Sequence, residues 1–271
     1  MIGFIGTGSM GGAILRGVLK SKIVAPDRIL FTRKNPHKAE QLSQELGVHA
    51  CSSNSELVAR LGHAGVIILG VKPHMIADAL EEIREEAARQ KSVIVSIAAG
   101  VTLEALSRHT DDAQPLVRAM PNVASSIGMG MTALCPNGAV SPEALEQVRA
   151  VFTAVGQTVQ LAEKDFSAFT AIAGSSPAWT FSYIDALSKA ALAAGLTKDD
   201  SVRIASQAVL GSAQLALNQL EGGTRPQALI DTVTSPGGTT IAGIVALDHG
   251  GFTAAVIDAV NAAIARDQQL G

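Results

Sequence analysis

The sequence is short of aromatic side chains, of charge and of cysteine, and each shortage excludes a class of function. Aromatic residues make up only 3% of the 271 residues, too few for the stacking platforms on which single-stranded nucleic acid lies. The formal net charge is −3, so there is no basic field to draw in a phosphate backbone, and nucleic acid is not expected as a partner. Cys51 and Cys135 stand far apart and outside any Cys-x-x-Cys spacing, which suggests neither a disulfide framework nor a zinc site and fits a reducing compartment. The six histidines are scattered, with no His-Glu-x-x-His and no carboxylate cluster, so no metal is expected. No uninterrupted apolar run reaches membrane-spanning length. The opening Ile2-Gly3-Phe4-Ile5-Gly6 reads as a buried strand and its turn rather than a leader. A cytoplasmic protein without a membrane partner is the expectation.

What is present is a globular composition, 47% hydrophobic with 26 glycines, on a chain long enough for two domains. Up to about residue 160, β-type runs alternate with helical segments, the pattern of a mostly parallel, doubly wound sheet. Strands are expected at 2–5, 29–32, 48–50, 66–71, 93–97, 116–119 and 132–134. Helices are expected at 11–20, 36–46, 54–61, 73–89 and 103–108, with Asn54 as an N-cap and Pro36 and Pro73 in first turns. Beyond, Ala-rich stretches with helical periodicity take over: 165–194, 198–220 and 253–268. The expected division is therefore an α/β domain over 1–160 and an all-α domain over 161–271. The long apolar helices carry more Ala and Leu faces than about 110 residues can bury alone, which points to self-association through the helical part. The acidic stretch Glu81-Glu82-Ile83-Arg84-Glu85-Glu86 reads as a solvated helix face.

The most informative local feature is Gly6-Thr7-Gly8-Ser9-Met10-Gly11, a Gly-x-Gly-x-x-Gly string that follows an apolar strand and opens a helix. In that context Gly6 makes the tight turn, Gly8 admits a pyrophosphate to the backbone and Gly11 lets helix and strand pack closely. The helix N-terminus adds free N–H groups and a positive partial charge. A dinucleotide is expected here, the alternative being a purely structural strand-turn-helix. At the end of the second strand, where a carboxylate usually binds the ribose of NAD, the chain reads Phe31-Thr32-Arg33-Lys34. A hydroxyl and two cations suit a 2′-phosphate, so the expected cofactor is NADPH, with NADH as the alternative. The alternative for Arg33 is a solvated basic turn. Gly70-Val71-Lys72-Pro73 and Ala98-Ala99 end two more strands on the same sheet edge, where ligands bind in open α/β folds. Lys72 either meets phosphate or ribose or sits in solvent.

With these segments in view, the chain resembles the pyrroline-5-carboxylate reductase family over essentially its whole length. The most specific match is Val233-Thr234-Ser235-Pro236-Gly237-Gly238-Thr239-Thr240-Ile241-Ala242-Gly243 followed by Leu247-Asp248. Supporting matches are Val71-Lys72-Pro73-His74, Ala98-Ala99-Gly100-Val101-Thr102, Arg118-Ala119-Met120-Pro121-Asn122 and Gly174-Ser175-Ser176-Pro177-Ala178-Trp179. The resemblance implies an N-terminal Rossmann domain and a helical C-terminal domain that dimerises, often within a decamer. It also implies NAD(P)H-dependent reduction of the cyclic imine 1-pyrroline-5-carboxylate to L-proline. Carried over, Ser235, Gly238, Thr239 and Thr240 would hold the substrate with Glu163 nearby, while Asn54 and Thr232 match cofactor positions. The family usually has Gly-Ser-Gly-Pro-Ala-Tyr where this chain has Ser176 and Trp179, which puts local packing in doubt, and Pro177 requires a kink.

The residues of that loop point the same way. Ser-Pro-Gly-Gly-Thr-Thr combines hydroxyls with converging backbone N–H groups, and a helix starting near Thr239 would turn its positive end to a carboxylate; an ordinary interhelical turn is the alternative. Reducing a C=N bond needs a hydride on carbon and a proton on nitrogen, and Thr240 is the candidate for orienting or protonating that nitrogen. A β-hydroxyacid dehydrogenase would carry Gly-x-x-x-Lys-x-x-x-Asn after its first domain, and Lys189 lacks both flanking partners. A nonenzymatic NADP sensor would not need the Ser235–Thr240 loop.

Overall fold

The computed structural model describes residues 1–270. Its first part alternates strands and helices: β1 (Ile2–Ile5), α1 (Ser9–Ser21), β2 (Ile29–Thr32), α2 (Pro36–Leu46), β3 (His49–Ala50), α3 (Asn54–Leu61), β4 (Val66–Leu69), α4 (Ile76–Arg89), β5 (Val93–Ser96), α5 (Leu103–Ser107), β6 (Leu116–Met120), β7 (Gly130–Pro136), α6 (Pro142–Thr153) and β8 (Gly156–Gln160). The rest is helical: α7 (Phe166–Phe169), α8 (Ser176–Ala193), α9 (Lys198–Leu220), α10 (Pro226–Val233), α11 (Thr239–His249) and α12 (Phe252–Leu270). Two compact units result, one holding Met1–Gly174 with the chain from Ile264 onward, the other Ser175–Ala263.

In the first unit the strands form one sheet in the order β3-β2-β1-β4-β5-β6-β7-β8. All neighbours run parallel except β6 and β7. The order reverses direction at β1, between β2 and β4, which in such sheets is where ligands bind beyond the carboxyl ends of the strands. Because side chains alternate across a strand, Phe4, Phe31, Ile68 and Val95 bury against α1, α2 and α6. Ile5, Leu30, Ile67 and Ile94 bury against α3 and α4 on the other face.

Three elements went unforeseen, α6 and β8 in the sheet unit and α10 in the helical one. The start of α6 is signalled by Ser141, whose hydroxyl accepts from the Ala144 N–H at 3.2 Å, and by Pro142 in its first turn. β8, Gly-Gln-Thr-Val-Gln at the sheet edge, is mostly polar and lacks the apolar run of a central strand. Asn54 is not the N-cap of α3: Ser53 is, accepting from the Glu56 N–H at 3.0 Å. That leaves Asn54 in the first helical position with its side chain free for other partners. The helix expected over 73–89 opens as a 3₁₀ turn at Pro73–Met75 before α4 begins.

The continuous helix expected over 165–194 is also broken. A π-helical turn over Thr170–Ser175 separates α7 from α8, and Pro177 falls in the first turn of α8 rather than in a helix interior. Proline has no N–H for the carbonyl four residues earlier, here Ala173. That carbonyl accepts instead from Asn122 Nδ2 at 2.9 Å, while Asn122 Oδ1 accepts from the Met131 N–H at 3.1 Å.

The second unit is a set of helices. Gly195 closes α8 in the left-handed region, φ +99°. Thr197 caps α9 by accepting from the Asp200 N–H at 3.2 Å. No single described helix is long and apolar enough to cross a membrane.

Candidate functional site

One positive φ and two close backbone approaches shape the glycine turn. Gly6 adopts φ +87°, a conformation open to glycine at little cost. A Cβ on Gly11 or on Gly70 would come 2.5 Å from the Gly6 carbonyl oxygen, so neither position tolerates a side chain. Around Gly8, by contrast, a Cβ would meet nothing within 4 Å. The crowding fixes the turn between the ends of β1 and β4, and the open side is where a ligand can approach. Two further bonds pin it: Gly6 N–H donates to the Thr32 carbonyl at 3.2 Å and Gly70 N–H to the Ile5 carbonyl at 2.8 Å.

Gly8 then serves as the N-cap of α1 without any side-chain cap, and no acid stands in the first turn. Most neighbouring helices of the sheet are capped by Asn35, Ser53, Thr102 or Ser141. An uncapped start leaves N–H groups and positive dipole available to an anion. Thr7 is buried and its hydroxyl has no partner among the described residues. A cleft of about 640 Å³ runs from Thr7, Gly8 and Ser9 along α1 to Arg33, with Arg16 and Ser126 on its walls. This donor-rich, cationic surface fits the phosphates of a dinucleotide.

At the end of β2, the Thr32 hydroxyl donates to Asn54 Oδ1 at 2.7 Å. Asn54 is in turn held by Glu82 from α4, whose Oε1 accepts from the Asn54 N–H at 2.9 Å. Arg16, which lines the cleft with Arg33, forms a two-bonded pair with Glu45, at 2.6 and 3.0 Å. The hydrogen bond to Glu45 raises the arginine pKa and that to Arg16 lowers the carboxyl of Glu45. Arg16 and Glu82 were not singled out by sequence reasoning. Glu82 lies on the exposed helix face expected of it, but its partners there are 27 and 28 residues away, a distance no local pattern reports.

The structure places the other candidates as follows. Val71, Lys72 and Pro73 follow β4, with Lys72 exposed, and Ala98 and Ala99 follow β5. These do not line the cleft along α1. Met10 lies in the first turn of α1 and packs on the core. Glu163 Oε1 accepts from the Leu103 N–H at the start of α5 at 2.7 Å and from Arg118 Nη1 at 3.0 Å. Arg118 is buried and its guanidinium stacks 4.5 Å from the centre of the Phe166 ring. Cys51 and Cys135 are buried free thiols, each with its pKa pushed up by burial.

In the helical unit Ser235-Pro236-Gly237-Gly238 closes a tight turn. Gly238 N–H donates to the Ser235 carbonyl at 3.0 Å and Gly237 has φ +69°. Proline second and a positive-φ glycine third are what a type II turn requires. Gly238 becomes the N-cap of α11 without a side-chain cap, and Ser235, Thr239 and Thr240 are exposed at that end. The arrangement repeats that of α1: a glycine-capped helix start, free N–H groups and adjacent hydroxyls, suited to a small anion such as a carboxylate. Thr232 lies on α10, its hydroxyl donating to the Leu229 carbonyl at 2.7 Å.

Both parts of the chain match known protein families. Residues 163–270 match the family model described as pyrroline-5-carboxylate reductase dimerisation, and residues 1–100 match NADP oxidoreductase coenzyme F420-dependent. The pyrroline-5-carboxylate reductase of Escherichia coli (strain K12) is 39% identical over 99% of this chain and 97% of its own. The solved structure of a pyrroline-5-carboxylate reductase from Coxiella burnetii superimposes with a TM-score of 0.93 at 33% identity, covering 100% of this chain and 98% of the other. The Plasmodium falciparum pyrroline carboxylate reductase with NADP bound gives 0.84 at 26% identity, covering 100% and 97%. A glycine turn suited to a dinucleotide, a glycine-capped helix start with room for a small anion and, decisively, 39% identity along 99% of the chain place it in the pyrroline-5-carboxylate reductase family.

Proposed function

We infer that this protein reduces 1-pyrroline-5-carboxylate to L-proline with NADPH, the last step of proline biosynthesis. The observation that carries this is full-length identity to reductases of that name, joined to a glycine turn and a Ser-Pro-Gly-Gly-Thr-Thr loop that each fit one half of the reaction. The bound nicotinamide supplies the hydride, and the chain's task is to bind, orient and manage one proton. Residues 1–160 hold the cofactor, with one contact from Thr232, and 161–271 hold the substrate and the second subunit. On the cofactor side, Gly6–Gly11 take the pyrophosphate, and Thr32, Arg33 and Asn54 the adenosine ribose, with Arg33 on its 2′-phosphate. Gly70–Pro73, Ala98, Ala99 and Thr232 complete the site. Ser235, Gly238 and Thr239 hold the substrate carboxylate at the start of α11, and Glu163 contributes by fixing Arg118 and the start of α5.

Thr240 orients the imine nitrogen and passes it a proton, directly or through water. Holding the imine carbon in register with the hydride donor is worth roughly 7–11 kcal/mol of barrier, so positioning supplies most of the rate. The assembly is a dimer through the helical unit, built up to a decamer. The cytoplasmic placement rests on the free thiols of Cys51 and Cys135. The test is NADPH oxidation by the purified protein with pyrroline-5-carboxylate, in parallel for Thr240→Ala. Turnover of the variant should fall about 10²-fold with the KM for NADPH unchanged. Unaltered turnover removes Thr240 from the mechanism, and an inactive parent protein removes the function.

A further inference from the structure

We propose that Glu82 sets how strongly the protein prefers NADPH over NADH, by holding Asn54 so that the Thr32 hydroxyl can only accept a hydrogen bond from the ribose. The proposal rests on reading Thr32, Arg33 and Asn54 as the adenosine-ribose end of the cofactor site.

The argument follows the hydrogens. Glu82 Oε1 accepts from the Asn54 N–H at 2.9 Å and the Ser55 N–H at 3.3 Å, and Oε2 accepts from Asn54 Nδ2 at 2.5 Å. The Ser55 hydroxyl donates to the Glu82 carbonyl at 3.0 Å, fastening α3 to α4 at this point. An ionised carboxylate offers only acceptors. It therefore dictates which end of the Asn54 amide faces it: the NH₂ turns to Glu82 and the oxygen turns to Thr32. That oxygen cannot donate, so in the 2.7 Å contact the proton must come from Thr32. A hydroxyl has one proton, and here it is spent.

What Thr32 has left is two lone pairs. The 2′-hydroxyl of NADH can donate to them. The 2′-phosphate of NADPH carries acceptor oxygens and negative charge, and finds in Thr32 no donor and in Glu82 a like charge. Arg33, on the next residue, works in the opposite sense through its guanidinium. Selectivity at this edge is then a balance: Arg33 favours the phosphate, and the chain Glu82, Asn54, Thr32 favours the hydroxyl and keeps NADH usable.

Glu82→Gln and Glu82→Ala break the chain in two ways. A glutamine puts a donor where Oε2 was, so the Asn54 amide turns over and offers its NH₂ to Thr32, whose proton is released toward the ribose. An alanine leaves the amide free to make the same turn. The measurement is kcat/KM with NADPH and with NADH at one low ionic strength. The expected result is a rise in the NADPH-to-NADH ratio of about tenfold, a change of roughly 1.4 kcal/mol in relative binding. A residue that merely propped α3 against α4 would lower both values alike and leave the ratio where it was. An unchanged or lower ratio in either folded variant overturns the proposal. If Glu82→Ala does not fold, Glu82→Gln, which keeps an acceptor for the Asn54 N–H, carries the test. Arg33→Ala is measured alongside and should lower the ratio. If it does so while the Glu82 variants are silent, the proposal alone fails; if all three are silent, the ribose-site reading fails and the proposal with it.

Discussion

The two units of the chain treat their apolar side chains in opposite ways. In the sheet unit they are spent inside: every buried apolar residue among those described, except Ala205, belongs to residues 1–174. In the helical unit they stand outside, with Phe181, Ile204, Leu217, Val233 and Ile257 all half exposed or more. Fully burying each such side chain is worth about 1.5–3 kcal/mol, so a unit that leaves this many in water is incomplete by itself. A match of residues 163–270 to a dimerisation domain supplies what covers them. One unit is a finished core carrying a site; the other is half of a core.

The largest effect expected from this contrast is on assembly. Ile204→Asp combined with Leu217→Asp puts two charges on α9 where a partner should pack, and burying unpaired charge is prohibitive. Sedimentation should show monomers, and turnover should vanish. Ile23→Asp, an equally exposed apolar position in the sheet unit, should leave both unchanged; an intact assembly in the α9 variant breaks the comparison. Next comes the finished core. Phe31 is fully buried between the sheet and its helices, and Phe31→Ala should cost about 3–5 kcal/mol in denaturant unfolding. A cost under about 1 kcal/mol would mean the sheet unit is not the rigid half.

The smallest effect is on acid stability. The Ser52 hydroxyl, then the Ser52 N–H, then Arg60 hold the Glu56 carboxyl below its ordinary 4.5. A depressed carboxyl stabilises the fold above that ordinary value, and the gain is lost as pH falls through the lower folded value. Glu56→Gln should therefore make melting temperature less sensitive to pH below about 4.5 and alter it only slightly at neutrality, because the group is exposed. An unchanged acid limb would sever this link.

Sequence reasoning reached the parts of the fold that local chemistry encodes. β1 and β2 lie where their apolar runs placed them, and Gly6, Gly8 and Gly11 each meet the steric surroundings their roles demand. The parts it missed depend on contacts across the fold. The edge strand β8 is polar because one of its sides has no neighbour to bury against. Glu82 looks like any surface glutamate until α3 is packed beside α4. The Ser235–Thr240 loop drew its expected substrate role chiefly from a family resemblance, since a type II turn before a helix is common chemistry.

The break before α8 has a consequence for how this sequence can change. Pro177 leaves the Ala173 carbonyl to Asn122, a residue 51 positions away. Replace the proline with a helix former and the carbonyl, which has two lone pairs, gains a second donor beside the Asn122 amide. Replace the asparagine and the carbonyl loses its donor while the Met131 N–H loses its acceptor. The constraint therefore runs one way: position 177 can change while Asn122 stays, but with Pro177 in place the loss of Asn122 strands a carbonyl and an N–H at once.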